Sequence, residues 1–117
     1  MKLTIYHNNG CRKSREALEY IETKGYDVEI VEYLKTPLSI SELKDLIQLL
    51  KINPMELVRK NESIWKENFM DQKMTDSQLI AVLIENPKLI QRPIIKSLTN
   101  AVIGRQMDNL IRFLKSH

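Results

Sequence analysis

Apolar and polar side chains alternate over residues 2–7, Lys2-Leu3-Thr4-Ile5-Tyr6-His7, and this period of two predicts a half-buried strand. The spacing then changes. Ala17, Leu18, Tyr20 and Ile21 recur at helical intervals within residues 16–24, and Gly25 is placed to end that helix in a left-handed cap. Val28, Ile30 and Val31 mark a second strand, expected to run to about Tyr33. Two strands joined by a helix form a right-handed crossover unit. The loop after the first strand then falls at the carboxyl edge of the sheet, where ligand sites on open α/β sheets gather.

Thr36-Pro37 breaks this pattern, and the signals that follow are helical. Ser39 with Glu42 is a capping box ahead of Leu43, Leu46, Ile47 and Leu50. Asn53-Pro54 is a second start signal, a cap followed by proline at the first helical position. Thr75 with Gln78 repeats the capping box before Leu79, Ile80, Val82, Leu83 and Ile84, and Asn86-Pro87 stops that helix. After it the period returns to two. Pro93-Ile94-Ile95 and Ala101-Val102-Ile103 read as short strands joined by a turn around Leu98-Thr99-Asn100. A last helix is expected over residues 107–115, with Leu110, Ile111 and Leu114 on one side. The order is β-α-β, helices, β-β-α. This is α/β, the element order of a thioredoxin-like fold with an all-helical insertion between strands two and three. The reading is one domain over residues 1–117, with a core of residues 1–38 and 87–117 and an insertion of residues 39–86.

Composition narrows the function classes. A chain of 117 residues with 43% hydrophobic content suits a single domain with a real core. Lys plus Arg less Asp plus Glu is 18 − 15 = +3, too mild for a dedicated nucleic-acid binder, so no nucleic-acid partner is expected. No apolar run approaches the ~18 residues that span a bilayer, and residues 1–20 lack the features of a signal peptide. One cysteine excludes an internal disulfide framework and favours a cytoplasmic location. With Cys11, His7 and His117 alone to draw on, no metal site is expected.

That single cysteine is the chain's main chemical signal. Cys11 lies in Asn8-Asn9-Gly10-Cys11-Arg12-Lys13-Ser14-Arg15, where the first strand hands over to the first helix. A thiol at a helix start faces unpaired backbone N–H groups and the positive end of the dipole. Such sites lower a cysteine pKa to about 3.5–7.5, against ~8.5 for a free thiol. Arg12, Lys13 and Arg15 add positive charge nearby. Many free cysteines are small buried hydrophobes, but polar Asn8, Asn9, Arg12 and Lys13 argue against a dry core site here. A dithiol motif needs a second cysteine where Ser14 stands, so any redox cycle through Cys11 requires an outside thiol. A phosphatase-type loop needs arginine where Ala17 stands. Ser14 itself is open to two roles, helix capping or a hydrogen bond to the sulfur.

Arg59, Arg92 and Arg105 each interrupt an apolar stretch. A guanidinium fork fits a tetrahedral oxyanion in two-point contacts that lysine cannot match, although any one of the three is also compatible with a solvated surface arginine. In a thioredoxin-like sheet, the residue before the strand-three proline lies beside the cysteine loop, and that proline is often cis. Arg92-Pro93 occupies that position.

Four segments together resemble the ArsC-type arsenate reductases, in order and over nearly the whole chain: His7-Asn8-x-x-Cys11-x-x-Ser14-Arg15, Glu56-Leu57-Val58-Arg59-Lys60, Asn86-Pro87-Lys88-Leu89-Ile90-Gln91-Arg92-Pro93-Ile94, and Ile103-Gly104-Arg105. The resemblance implies a glutathione- and glutaredoxin-dependent arsenate reductase with no bound cofactor. Cys11 would attack arsenate or a related oxyanion, and Arg59, Arg92 and Arg105 would hold it. Glutathione would act as co-substrate, and glutaredoxin would resolve the mixed disulfide. His7 matches a histidine credited with keeping the thiol ionised, with Ser14, Arg15 and Pro93 in support. Asn9 and Gln106 stand where the family often has proline, and Arg12 and Lys13 where its best-characterised members carry smaller residues. Two rivals share the pattern. One is an Spx-like regulator that binds the α-subunit of RNA polymerase, whose redox-sensing members use a second cysteine where Ser14 stands. The other is a general glutathione-dependent thiol oxidoreductase.

Overall fold

The computed structural model describes residues 2–116, so Met1 and His117 lie outside the described residues. The chain divides into two compact units, one formed by the residues up to Thr36 with those from Arg92 onward, the other by Pro37–Gln91.

The first unit is built on a four-stranded sheet. Strand β1 (Lys2–Tyr6) pairs in parallel with β2 (Asp27–Val31), Leu3 opposite Val28 and Tyr6 opposite Val31. Strand β3 (Ile94–Lys96) runs antiparallel to β1, and β4 (Ala101–Ile103) antiparallel to β3, giving the order β2-β1-β3-β4. The alternation read from residues 2–7 sends Leu3 and Ile5 into a core shared with Ile95, with Ala17 and Ile21 of helix α1 (Arg12–Thr23), and with Leu110, Phe113 and Leu114 of helix α5 (Met107–Lys115). Burial of the leucine, isoleucine and phenylalanine side chains stabilises the fold by about 1.5–3 kcal/mol each. Gly25, at φ 82, takes the left-handed conformation expected after α1. Strand β2 stops at Val31, short of Tyr33, because the Glu32 carbonyl turns back to accept the N–H groups of Lys35 and Thr36. This is the thioredoxin-like fold.

Gly104 is a close-approach position. A Cβ there would lie 2.6 Å from Ile95 Cδ1. The missing side chain lets the end of β4 lie against β3, and the Gly104 N–H donates to the Pro93 carbonyl at 2.8 Å.

In the second unit both capping boxes form as read. Ser39 and Glu42 open helix α2 (Ile40–Leu50), and Thr75 and Gln78 open helix α4 (Asp76–Glu85), which ends just before Asn86-Pro87. Leu43, Leu46, Ile47, Leu79, Ile80 and Leu83 are the buried faces of these two helices. Asn53-Pro54 starts only a 3-10 turn, Pro54–Leu57. The chain leaves it extended, because Val58 forms an antiparallel bridge to Ile90, flanked by Arg59 N–H to the Leu89 carbonyl (2.7 Å) and Gln91 N–H to the Leu57 carbonyl (2.8 Å). The second unit therefore holds one bridge besides its helical elements. A six-residue helix α3 (Ser63–Asn68) carries buried Trp65, but its N-cap, Glu62, makes no capping side-chain hydrogen bond, so the sequence holds no start signal for it. Among the described residues no helix is long and apolar enough to cross a membrane.

Candidate active site

Asn8 builds the loop after β1. Its side-chain Oδ1 accepts the Gly10 N–H at 3.0 Å, and its carbonyl accepts the Cys11 N–H at 3.0 Å. This tight turn delivers Cys11 to the N-cap of α1 in an extended conformation, φ −98° and ψ 122°. The Cys11 carbonyl takes up the Arg15 N–H, the first bond of the helix. The Cys11 side chain makes no capping hydrogen bond. The backbone N–H groups of Ser14 and Lys13 nonetheless favour its thiolate form.

The sulfur is partly exposed, not sealed in hydrocarbon. Its partial burial pushes the thiol pKa up, yet the pKa lies below the ordinary cysteine value. The Ser14 N–H is the largest opposing influence. Next come the Arg92 guanidinium, as hydrogen-bond donor and as charge, and then the Lys13 N–H. The charges expected to help from the helix itself are directed elsewhere. Arg12 Nε pairs with Glu16 Oε1 at 3.0 Å, and Arg15 Nη1 donates to the Asn9 carbonyl at 2.9 Å. Arg15 thus pins the loop instead of acting on the sulfur.

Ser14 takes neither of its two expected roles through its hydroxyl. The side chain is fully buried, with Oγ 2.6 Å from His7 Nδ1 and accepting the Asn8 N–H at 3.1 Å. His7, also buried, is held at the end of β1 by its own N–H to the Val31 carbonyl. The His7–Ser14 contact ties the strand end to the first turn of the helix, and so fixes the Ser14 N–H that faces the sulfur. Ser14→Ala should cost about 1–3 kcal/mol, because it strands His7 Nδ1 and the Asn8 N–H in a buried place. A thermal or urea unfolding midpoint measures this, and an unchanged midpoint would show that water replaces the hydroxyl.

Sheet register gathers the remaining groups. Tyr6 faces Ile94 across β1 and β3, so the loop after β1 runs alongside the residues just before β3. Arg92 sits there, joined to Pro93 by a cis peptide bond. Ile94 faces Ile103 and the Gly104 N–H donates to the Pro93 carbonyl, so Arg105 follows the end of β4 on the side of the sheet where the chain enters β3. Arg105 is exposed. Cys11, His7, Ser14, Arg15, Arg92, Pro93 and Arg105 therefore belong to one end of one sheet. Arg59 belongs to the second unit, where its Nη1 lies 3.4 Å from Glu62 Oε1 and 3.5 Å from the Lys88 carbonyl. The N–H groups of Ser14 and Lys13 that act on the sulfur are those expected at a helix start. The turn made by Asn8 escaped sequence reasoning, although Asn-x-Gly was there to signal it.

A half-buried cysteine stands at a helix start on a thioredoxin-like sheet, its pKa lowered by an arginine that precedes a cis-proline. The model of the ArsC family matches residues 6–113, and the chain belongs to that family. It is 37% identical over 115 residues to the uncharacterized protein YfgD of Escherichia coli K12, a match covering 97% of each chain. It is 40% identical over 113 residues to an arsenate reductase of the same strain, covering 96% of this chain and 80% of the relative. Among solved structures, an arsenate reductase from Vibrio cholerae superposes with a TM-score of 0.90 at 38% identity, over 96% of this chain and 97% of that one.

Proposed function

We propose that this protein is a cytoplasmic arsenate reductase that depends on glutathione and glutaredoxin and works through Cys11. The observation that carries the reading is the placement of Cys11 at the N-cap of α1, where the Ser14 N–H and the Arg92 guanidinium lower its pKa. Relatives named arsenate reductase that align over almost the whole chain support the choice of oxyanion.

An anionic sulfur and an anionic arsenate repel one another unless fixed cations and N–H dipoles absorb the charge. In this proposal Arg92, Arg105 and Arg59 supply those cations. Cys11 Sγ attacks arsenic and displaces one oxygen as water, forming an arsenic–sulfur bond. Glutathione thiolate then attacks Sγ, and the electron pair of the arsenic–sulfur bond passes to arsenic. Arsenite leaves, and Cys11 is left in a mixed disulfide with glutathione. Glutaredoxin thiolate attacks the glutathione sulfur and releases Cys11 as thiolate. Two thiols are oxidised and arsenic is reduced by two electrons, so the cycle balances with no bound cofactor. Ser14, in place of a second cysteine, leaves the resolving role to outside thiols.

The test is a coupled assay containing glutathione, glutaredoxin, glutathione reductase and NADPH. Arsenate-dependent loss of NADPH is the expected result. No such loss, together with reduction of a glutathione mixed disulfide, would replace this reading with a general thiol oxidoreductase. Stoichiometric capture of the C-terminal domain of the RNA polymerase α-subunit would replace it with a regulator.

A further inference from the structure

Asn9 is the one asparagine in the chain followed by glycine, and it stands directly before Gly10 in the loop that delivers Cys11. Both residues are exposed and lie in a turn, outside any helix or strand. Glycine offers no side chain to obstruct approach to its own backbone nitrogen, and its backbone is the most permissive of any residue. From this placement we propose that Asn9-Gly10 is a site of spontaneous deamidation whose product impairs the thiol of Cys11. The proposal goes beyond arsenate reduction and requires only that Cys11 be a reactive thiol.

The chemistry needs nothing but water. The Gly10 backbone nitrogen, giving up its proton, attacks Asn9 Cγ. The Cγ–Nδ2 bond breaks, ammonia leaves, and a cyclic imide closes between the two residues. Water then opens the imide at either carbonyl, leaving aspartate or isoaspartate. The nitrogen that must attack is the one whose N–H is held by Asn8 Oδ1 at 3.0 Å, so the step begins when that exposed bond opens.

Both products act on the site. Each sets a carboxylate in the cysteine loop, where it opposes the thiolate and any incoming oxyanion. The isoaspartate product also reroutes the main chain through the side-chain carbon. That lengthens the segment whose ends are now fixed by Arg15 on the Asn9 carbonyl and by the Cys11 N–H on the Asn8 carbonyl. The turn that presents Cys11 must then rearrange.

The experiment ages the full-length protein in warm, mildly alkaline buffer, beside a synthetic peptide of residues 6–15. Peptide mapping then locates the small mass gain that replacement of NH2 by OH brings. Asn9 should convert ahead of every other asparagine. Gly10→Ala should slow conversion several-fold; the added Cβ comes no nearer than 3.4 Å to Asn8 Oδ1, so the loop accommodates it. Asn9→Asp, which mimics one product, should be alkylated by iodoacetamide several-fold more slowly than wild type at neutral pH. Conversion in the peptide with Asn9 intact in the folded chain would overturn the proposal. So would wild-type alkylation rates for both the aged protein and Asn9→Asp. Loss of Cys11 reactivity on ageing in a protein without arsenate turnover would leave this inference standing and end the arsenate reading.

Discussion

Cys11→Ser should abolish arsenate-dependent NADPH oxidation in the coupled assay while leaving the fold at least as stable as wild type. The two halves of the expectation have separate causes. A serine hydroxyl has no accessible oxyanion near neutral pH, and it forms no disulfide from which glutaredoxin could regenerate it, so both the attack and the resolution steps are lost. Stability moves the other way. Cys11 is the N-cap of α1 and its side chain makes no capping hydrogen bond, whereas serine ranks among the best N-caps. The comparison is therefore made in mildly acidic solution, where ionisation of Cys11 adds nothing to the wild type. The introduced hydroxyl accepts readily from the N–H groups that now face the sulfur. Inert protein with an unfolding midpoint equal to or above wild type would assign the loss to chemistry. Substantial arsenate turnover by Cys11→Ser would remove Cys11 from the reaction.

Local signals carried most of the fold into the sequence. Capping boxes at Ser39 and Thr75, the left-handed Gly25 and the period-two stretches at residues 2–7 and 101–103 are short-range features, and each appears in the structure where the pattern set it. What stayed hidden depends on partners distant in sequence. The extended run after Leu57 is made by Ile90, and neither Val58 nor Ile90 announces the bridge. The short helix α3 has no cap to mark it.

The site divides along the same line. Cys11 at a helix start and Arg92 before Pro93 were legible, because residue type and position alone imply the chemistry. Their neighbours were harder to read. Arg12 and Arg15 promised charge for the sulfur, but their exposed, flexible side chains found Glu16 and the Asn9 carbonyl instead. Ser14 was legible as a polar residue near the thiol. Its hydroxyl goes to His7, however, and its main-chain N–H serves the sulfur, a distinction that only the geometry of a folded turn can make. Side-chain identity thus predicts which groups are available, while backbone geometry decides which of them reach the reacting atom.

Arg92→Ala is the second large effect expected. Arg92 lowers the Cys11 pKa in two ways, by donating a hydrogen bond and by its charge, while the backbone N–H of Ser14 is the largest single influence in that direction. Removing the guanidinium leaves only the helix N–H groups to oppose the effect of burial, so the thiol pKa should rise. At neutral pH a smaller fraction is then thiolate, and the iodoacetamide rate profile should move to higher pH. Because the lowered pKa belongs to the folded state, ionisation of Cys11 adds stability above the thiol's ordinary pKa. That increment fades as pH falls through the lowered value. Arg92→Ala should therefore lose stability relative to wild type in alkaline solution and converge with it in acid. Turnover suffers more than ionisation does, since the same fork would hold the charge that develops on the oxyanion. Loss of one such donor typically costs roughly 10²–10³-fold in kcat. Arg92→Lys should recover part of the pKa shift through its charge and little of the turnover, for want of a second donor in the plane. Coincident alkylation profiles and equal arsenate kinetics for wild type and Arg92→Ala would make this arginine a bystander, and with it the clamp would lose the member that reaches the sulfur.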